Sequence, residues 1–248
     1  MPIKSILVSQ PQPKAGKNPF ENLAQKNKLK VDFRSFIHVE GVEEQEFRKE
    51  RISLGDFTAV ILTSRNAVDH YFRMAKETRF TVPDDMKYFC ISEAVAFYLQ
   101  NYIVYRKRKI FVGKQRITDL IDVLKKQKKE KFIVPCADIQ RSIIPEQLEK
   151  AGLDFQNAIL FKTVCSDLSD LEDVKYDMLV FYSPSGIESL FKNFPDFVQN
   201  DTKIAVFGPT TQKAVEAAGL RIDVRAPQPG TPSMTMAIEK YIKDLSKK

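Results

Sequence analysis

The sequence predicts an α/β protein built as two parallel-sheet lobes. Three observations carry that expectation. Short β-branched runs alternate with helix-spaced apolar stripes along the 248 residues. Two strand–turn–helix units recur in the same order. The two copies are unevenly filled, which tells how the chain divides.

The elements follow in order. Ile3–Ser9 (IKSILVS) is short and β-branched and ends at Pro11, so it reads as a strand, with a helix over Phe20–Lys30. Phe57–Thr63 (FTAVILT) is a continuous apolar run, the mark of a strand covered on both faces. Ala67, Val68, Tyr71, Phe72 and Ala75 then recur at helical spacing. Tyr88–Ile91, Lys109–Val112, Phe132–Pro135 and Ala158–Val164 continue the strands. Ile144, Leu148 and Ala151 mark a helix that Gly152 closes. Met178–Tyr182, Ile204–Gly208 and Ile222–Ala226 are the last strands. The final helix carries Met234, Ala237, Ile238, Tyr241, Ile242 and Leu245 on one face, and Thr231-Pro232-Ser233 signals its start.

The repeat is gapless within each unit. Phe57–Phe72 aligns with Tyr176–Phe191, which puts Ser64 on Ser183, 119 residues on. Tyr88–Leu99 aligns with Ile204–Val215, which puts Ser92 on Gly208, 116 residues on. The first copy continues into Phe132–Pro135 and its helix. The second has no such continuation, and the N-terminal strand and helix fill the gap. The expected division is therefore a discontinuous lobe, residues 1–36 plus 165–248, and an inserted lobe, residues 37–164. Two linkers, near Ser35–Glu40 and Thr163–Asp167, join these flavodoxin-like lobes across a cleft.

Composition excludes several classes of function. The nine glycines form neither GxGxxG nor GxxxxGK[ST], which removes the common nucleotide fingerprints. Two histidines and three scattered cysteines give no zinc spacing, so no metal is expected. Three unpaired cysteines suit a reducing, cytoplasmic setting. No apolar run approaches the length of a membrane span, and no membrane contact is expected. The net charge of +7 favours anionic partners. Residues 104–131 hold eleven Lys and Arg against three acids. The run at 125–131 reads as the solvated end of a helix, and no aromatics interleave with it, so nucleic acid is not expected.

The candidate site lies where strands hand over to helices. Parallel sheets bind ligands beyond the carboxyl ends of their strands. There stand Ser64, Ser92, Ser183, Ser185, Gly186, Gly208, Thr210 and Thr211. Taken singly, a Ser or Thr at such a junction is an ordinary helix cap. Several together, beside free helix N–H groups, suit carboxylates or phosphates. The copies differ at one matched place: Thr211 in the second, Val95 in the first. A capping role alone would want a hydroxyl in both, so the second copy is expected to do more. His70 and His38 are poorly placed for a Ser-His-Asp arrangement.

These residues resemble the uroporphyrinogen-III synthase family along essentially the whole chain. The matching pieces are ILVSQP, ILTSRNAV, FIVPCADIQRSIIPEQLEKAGLDF with ILFKTV, VFYSPSGIESLF, AVFGPTTQKAVEAAGL and APQPGTPSM. SPSG and GPTT are the most specific. The resemblance implies a two-lobed fold and a cofactor-independent lyase, a monomer acting on a small polycarboxylate tetrapyrrole. Hydroxymethylbilane would lose its terminal hydroxyl and close into a ring with the last pyrrole inverted. The resemblance places Ser64, Ser183, Ser185 and Thr211 on the family's cleft hydroxyls and Gly208 on its turn glycine. Two departures stand out. Ser92 and Val95 occupy a turn that usually reads glycine then threonine. Phe161 replaces a tyrosine proposed to assist hydroxide loss, and Tyr182 could stand in. The alternative reading is a weak or non-catalytic tetrapyrrole-binding or regulatory module.

Overall fold

The computed structural model describes residues 3–13, 18–138, 143–172 and 175–246. The Ile139–Ser142 portion of the ADIQRS motif lies outside the described residues, as does Gly16. The chain forms two compact units, Met1–His38 with Val164–Lys248, and Val39–Thr163.

The first unit opens with β1 (Ser5–Val8), α1 (Pro19–Asn27) and β2 (Lys30–Phe33). The chain then builds β3 (Ile37–Gly41), α2 (Glu44–Lys49), β4 (Ala59–Leu62), α3 (Arg65–Glu77), β5 (Lys87–Cys90) and α4 (Glu93–Leu99). It goes on through β6 (Ile110–Val112), α5 (Ile121–Lys126), β7 (Phe132–Ala137), α6 (Ile143–Lys150) and β8 (Phe155–Cys165). It returns to the first unit with β9 (Met178–Phe181), α7 (Pro184–Asn193), β10 (Lys203–Phe207), α8 (Pro209–Ala217), β11 (Val224–Ala226) and α9 (Met234–Leu245).

There are two separate sheets. The five-stranded sheet runs β11-β10-β9-β1-β2, and the pairings from β11 through to β2 are all parallel. The six-stranded sheet runs β3-β8-β7-β4-β5-β6, parallel from β8 to β6. Leu7 of β1 pairs with Leu179 of β9, so the N-terminal strand enters the sheet built by the C-terminal half.

Burial follows the two-residue period of a strand. In β1, Ile6 and Val8 pack with α1 and α9 residues such as Leu23 and Ile238, whereas Leu7 packs with Ile187 and Val215 on the other face. In β4, Val60 and Leu62 meet Val68 and Tyr71 of α3, and Ala59 and Ile61 meet Leu124 and Leu148. Both strands are covered on both faces, and β4, buried throughout, reads as an unbroken apolar run.

Three segments differ from the sequence expectation. The helix expected to Lys30 ends at Asn27, where Lys28 turns left-handed (φ 52°), and β2 follows. Ile37–Gly41, expected within a linker, is the edge strand β3, and β8 starts at Phe155 and runs to Cys165. Edge strands need only one partner, so KVDF and IHVEG carry too few apolar residues to announce themselves.

Candidate functional site

In the first unit the strand order reverses between β1 and β9: β2 follows β1 outward on one side, and β10 and β11 follow β9 on the other. A crevice opens beyond the carboxyl ends at such a switch. A cavity of about 390 Å³ occupies this place, lined by Ser9, Gln10, Pro11, Ser35, Ile37, Tyr182 and Ser183. The sequence reading reached Tyr182 and Ser183 and missed Ser9, Gln10 and Ser35. Only ILVSQP pointed that way, because the strand order that brings 9–11 beside 182–183 is a long-range property. A larger hollow of about 580 Å³ lies at the amino ends of the same strands, around Tyr176 and Thr202.

Helix α7 begins at this cavity. Ser183 is its N-cap residue, but its side chain makes no capping hydrogen bond, and Pro184 takes the first helical position. The Ser185 N–H has no intrahelical acceptor at that position. Gly186 is buried in the first turn. A Cβ there would lie 3.2 Å from Phe181 and 3.6 Å from the Ser9 hydroxyl, so glycine lets the helix close down on the cavity wall. The Tyr182 ring stacks on Phe207 with centroids 5.7 Å apart. Burial pushes its hydroxyl up to about 12, so it remains a hydrogen-bond donor through neutral pH.

Helix α8 begins beside it, after β10. Gly208 is the N-cap residue, at φ 84° and ψ 154°, a region that side-chain-bearing residues avoid. Its N–H donates to the Ala226 carbonyl at 2.7 Å. Pro209 follows, again with no side-chain cap. Thr210 is exposed and Thr211 is buried. The Thr211 hydroxyl has no hydrogen-bond partner among the described residues, although Thr211 is only 1% exposed.

The second unit uses its matched residues differently. Ser64 caps α3 and accepts from the Ala67 N–H at 3.1 Å. Ser92 caps α4 and accepts from the Val95 N–H at 3.4 Å. They stand after the neighbouring strands β4 and β5. Phe161, on β8, is 7% exposed and stacks on His70 with ring centroids 5.1 Å apart. His70 Nδ1 accepts from Arg73 Nε at 3.2 Å. Burial first, then the Arg73 charge, lowers the His70 pKa. His38 stands on β3, its Nδ1 3.0 Å from the Ser166 hydroxyl. Among the described residues no group of three His, Cys, Asp or Glu side chains is arranged to hold a metal ion.

Residues 18–236 match the family described as Uroporphyrinogen-III synthase HemD. The chain belongs to the uroporphyrinogen-III synthase family. A uroporphyrinogen-III synthase of Saccharomyces cerevisiae is 27% identical over 141 residues, and the match covers 50% of this chain and 50% of that relative. Among solved structures, a uroporphyrinogen-III synthetase from Helicobacter pylori superposes with a TM-score of 0.60 at 19% identity, over 99% of this chain and 100% of that one. A mutant uroporphyrinogen III synthase from Thermus thermophilus superposes with a TM-score of 0.53 at 14% identity, again over 99% and 100%. Those two likenesses establish the uroporphyrinogen-III synthase fold for this chain.

Proposed function

We propose that this chain closes hydroxymethylbilane to uroporphyrinogen III, inverting the last pyrrole and releasing water. The family match over 18–236 carries the reading, and the unspent donors of the first unit supply its chemistry. The substrate is a flexible chain with eight carboxylates. The nitrogen of its hydroxymethyl-bearing pyrrole can expel the hydroxyl, and unguided closure gives the wrong isomer. The protein's main task is then to hold one chain conformation. Carboxylates fit the N–H groups of Ser185, Thr210 and Thr211 and the Ser183 hydroxyl, where two helix dipoles add positive potential. The net charge of +7 draws in a polyanion.

Loss of the hydroxyl as water requires a proton at the breaking C–O bond. Tyr182 keeps its proton and lines the cavity, so it is placed to donate a hydrogen bond to the departing oxygen. A substrate carboxyl can deliver the proton itself. Ring closure at the substituted carbon of the last pyrrole gives a spiro intermediate. Its reopening and reclosure inverts the ring, and proton loss restores the pyrrole. General acid assistance is worth roughly 10²–10⁴-fold.

A second reading rests on Phe161. A buried ring stands where the resemblance expects a tyrosine, which suits a module that binds tetrapyrroles without turning them over. Isomer analysis after incubation with hydroxymethylbilane separates the two. Type III product above the blank supports the synthase. Type I product at the blank rate, with uroporphyrinogen still bound, supports the module.

A further inference from the structure

The charge of the molecule is concentrated outside the candidate site. Residues 97–118 contain Arg106, Lys107, Arg108, Lys109, Lys114 and Arg116 and no acid, so this stretch holds six of the seven net positive charges. It runs from the last turn of α4 through β6, an edge strand. The same stretch carries the two most exposed large apolar side chains among the described residues, Val104 at 78% and Phe97 at 75%. Tyr102 and Tyr105 are also exposed. Arg106 is paired with Asp84 at 3.3 Å, and Lys109 reaches the Asp84 carbonyl. Lys107 and Arg108 are exposed and form no ion pair among the described residues.

Protruding aliphatic and aromatic side chains beside unpaired cations fit the interface of an anionic bilayer, where the former enter the headgroup layer and the latter meet lipid phosphates and carboxylates. A nucleic-acid strand fits less well. Stacking successive bases needs a run of free ring faces, but between exposed Phe97 and Tyr105 the Tyr102 ring is stacked on Phe72 at 4.7 Å and Arg65 lies over the Tyr98 ring at 5.4 Å. Val104, an aliphatic side chain, offers a base nothing to stack on. An acidic peptide seated in the neighbouring hollow of about 340 Å³ would meet Arg106 already neutralised by Asp84. We propose that the segment from Phe97 to Lys109 attaches this protein reversibly to anionic lipid surfaces. The attachment is peripheral: among the described residues no helix is long and apolar enough to cross a membrane.

Flotation of the full chain with phosphatidylcholine vesicles, with and without about 30 mol% phosphatidylserine, tests the idea. The chain should rise with the anionic vesicles only, and raising salt from about 0.1 to 0.5 M should release it. Neutralising two cations, as in Lys107→Gln with Arg108→Gln, should lower partition about thirty-fold, roughly fivefold for each. Phe97→Ser with Val104→Ser should also release the chain, and at these exposures the fold should be unaffected. Lys128→Gln with Lys129→Gln, in the other basic run, should change partition much less. Three results overturn the proposal: no binding to anionic vesicles at low salt, an equal loss from the Lys128 and Lys129 pair, or retention by oligothymidylate that survives Phe97→Ser with Val104→Ser.

Discussion

After β4 and β5, each helix is closed by a serine of its own, Ser64 onto Ala67 and Ser92 onto Val95. After β9 and β10, the repeat-matched helices are entered through proline, and neither Ser183 nor Gly208 supplies a side-chain cap. The same supersecondary unit is thus used in two ways. Capping satisfies orphan donors and stabilises a helix by about 1 kcal/mol. Leaving the donors unsatisfied forgoes that gain and keeps them for a ligand. We propose on this contrast that the hydroxyls of the second unit serve mainly stability and those of the first serve binding.

Gly208→Ala attacks the comparison hardest. At φ 84° and ψ 154°, a Cβ has free space but a strained backbone. The expected cost is about 1–3 kcal/mol, with collapse of turnover as the α8 N-terminus moves. Ser92→Gly, at the matched place, should cost only about 0.3 kcal/mol, because glycine is itself a fair N-cap. Thermal melts of the two variants check the contrast, and equal losses would remove it.

Thr211→Val should leave the melting temperature unchanged or slightly raised. Its buried hydroxyl has no partner to lose, so an apolar replacement of the same shape removes an unmet desolvation cost. Activity should still fall about tenfold, the worth of one hydrogen bond to a charged group at roughly 1.5–3 kcal/mol. Unchanged turnover would place Thr211 outside the site.

A crossed pair sharpens the comparison further. Ser64→Ala should cost about 1 kcal/mol of stability and little activity. Ser183→Ala should stay within about 0.5 kcal/mol and lower kcat/KM severalfold. Melts and initial rates on both variants give four numbers, and the opposite pattern would reverse the assignment.

Much of this arrangement was readable in the sequence, for a physical reason. Strands buried on both faces, such as β4 and β9, must be apolar throughout, so AVIL and MLVF stand out. The junction residues follow at fixed short range, and the repeat located Ser64, Ser92, Ser183 and Gly208. Edge strands β2 and β3 stayed hidden because solvent tolerates their polar residues. Ser9, Gln10 and Ser35 stayed hidden because strand order, not local pattern, brings them to Tyr182. Whether a serine caps its helix is likewise invisible in sequence: Ser64 and Ser183 look alike until the first-turn geometry is known.

The smallest expected effect concerns His70, in the second unit. Burial and Arg73 hold its folded pKa below 6.5, so the unfolded chain takes up the proton first as pH falls. Its contribution is therefore fully present above pH 6.5 and is lost as pH drops through 6.5 toward the lower folded value. His70→Gln should flatten the acid side of the stability–pH curve over that window, with a small loss at neutral pH from the ring stacked on Phe161. Turnover should keep its pH profile, because the donors assigned to the reaction lie in the first unit. Melting curves and kcat measured between pH 5 and 8 read both quantities on one variant. His70 touches the ring that occupies the expected tyrosine position. A pH profile of kcat that shifts in His70→Gln would therefore move the proton donor out of the first unit and end the division of labour between the two sheets.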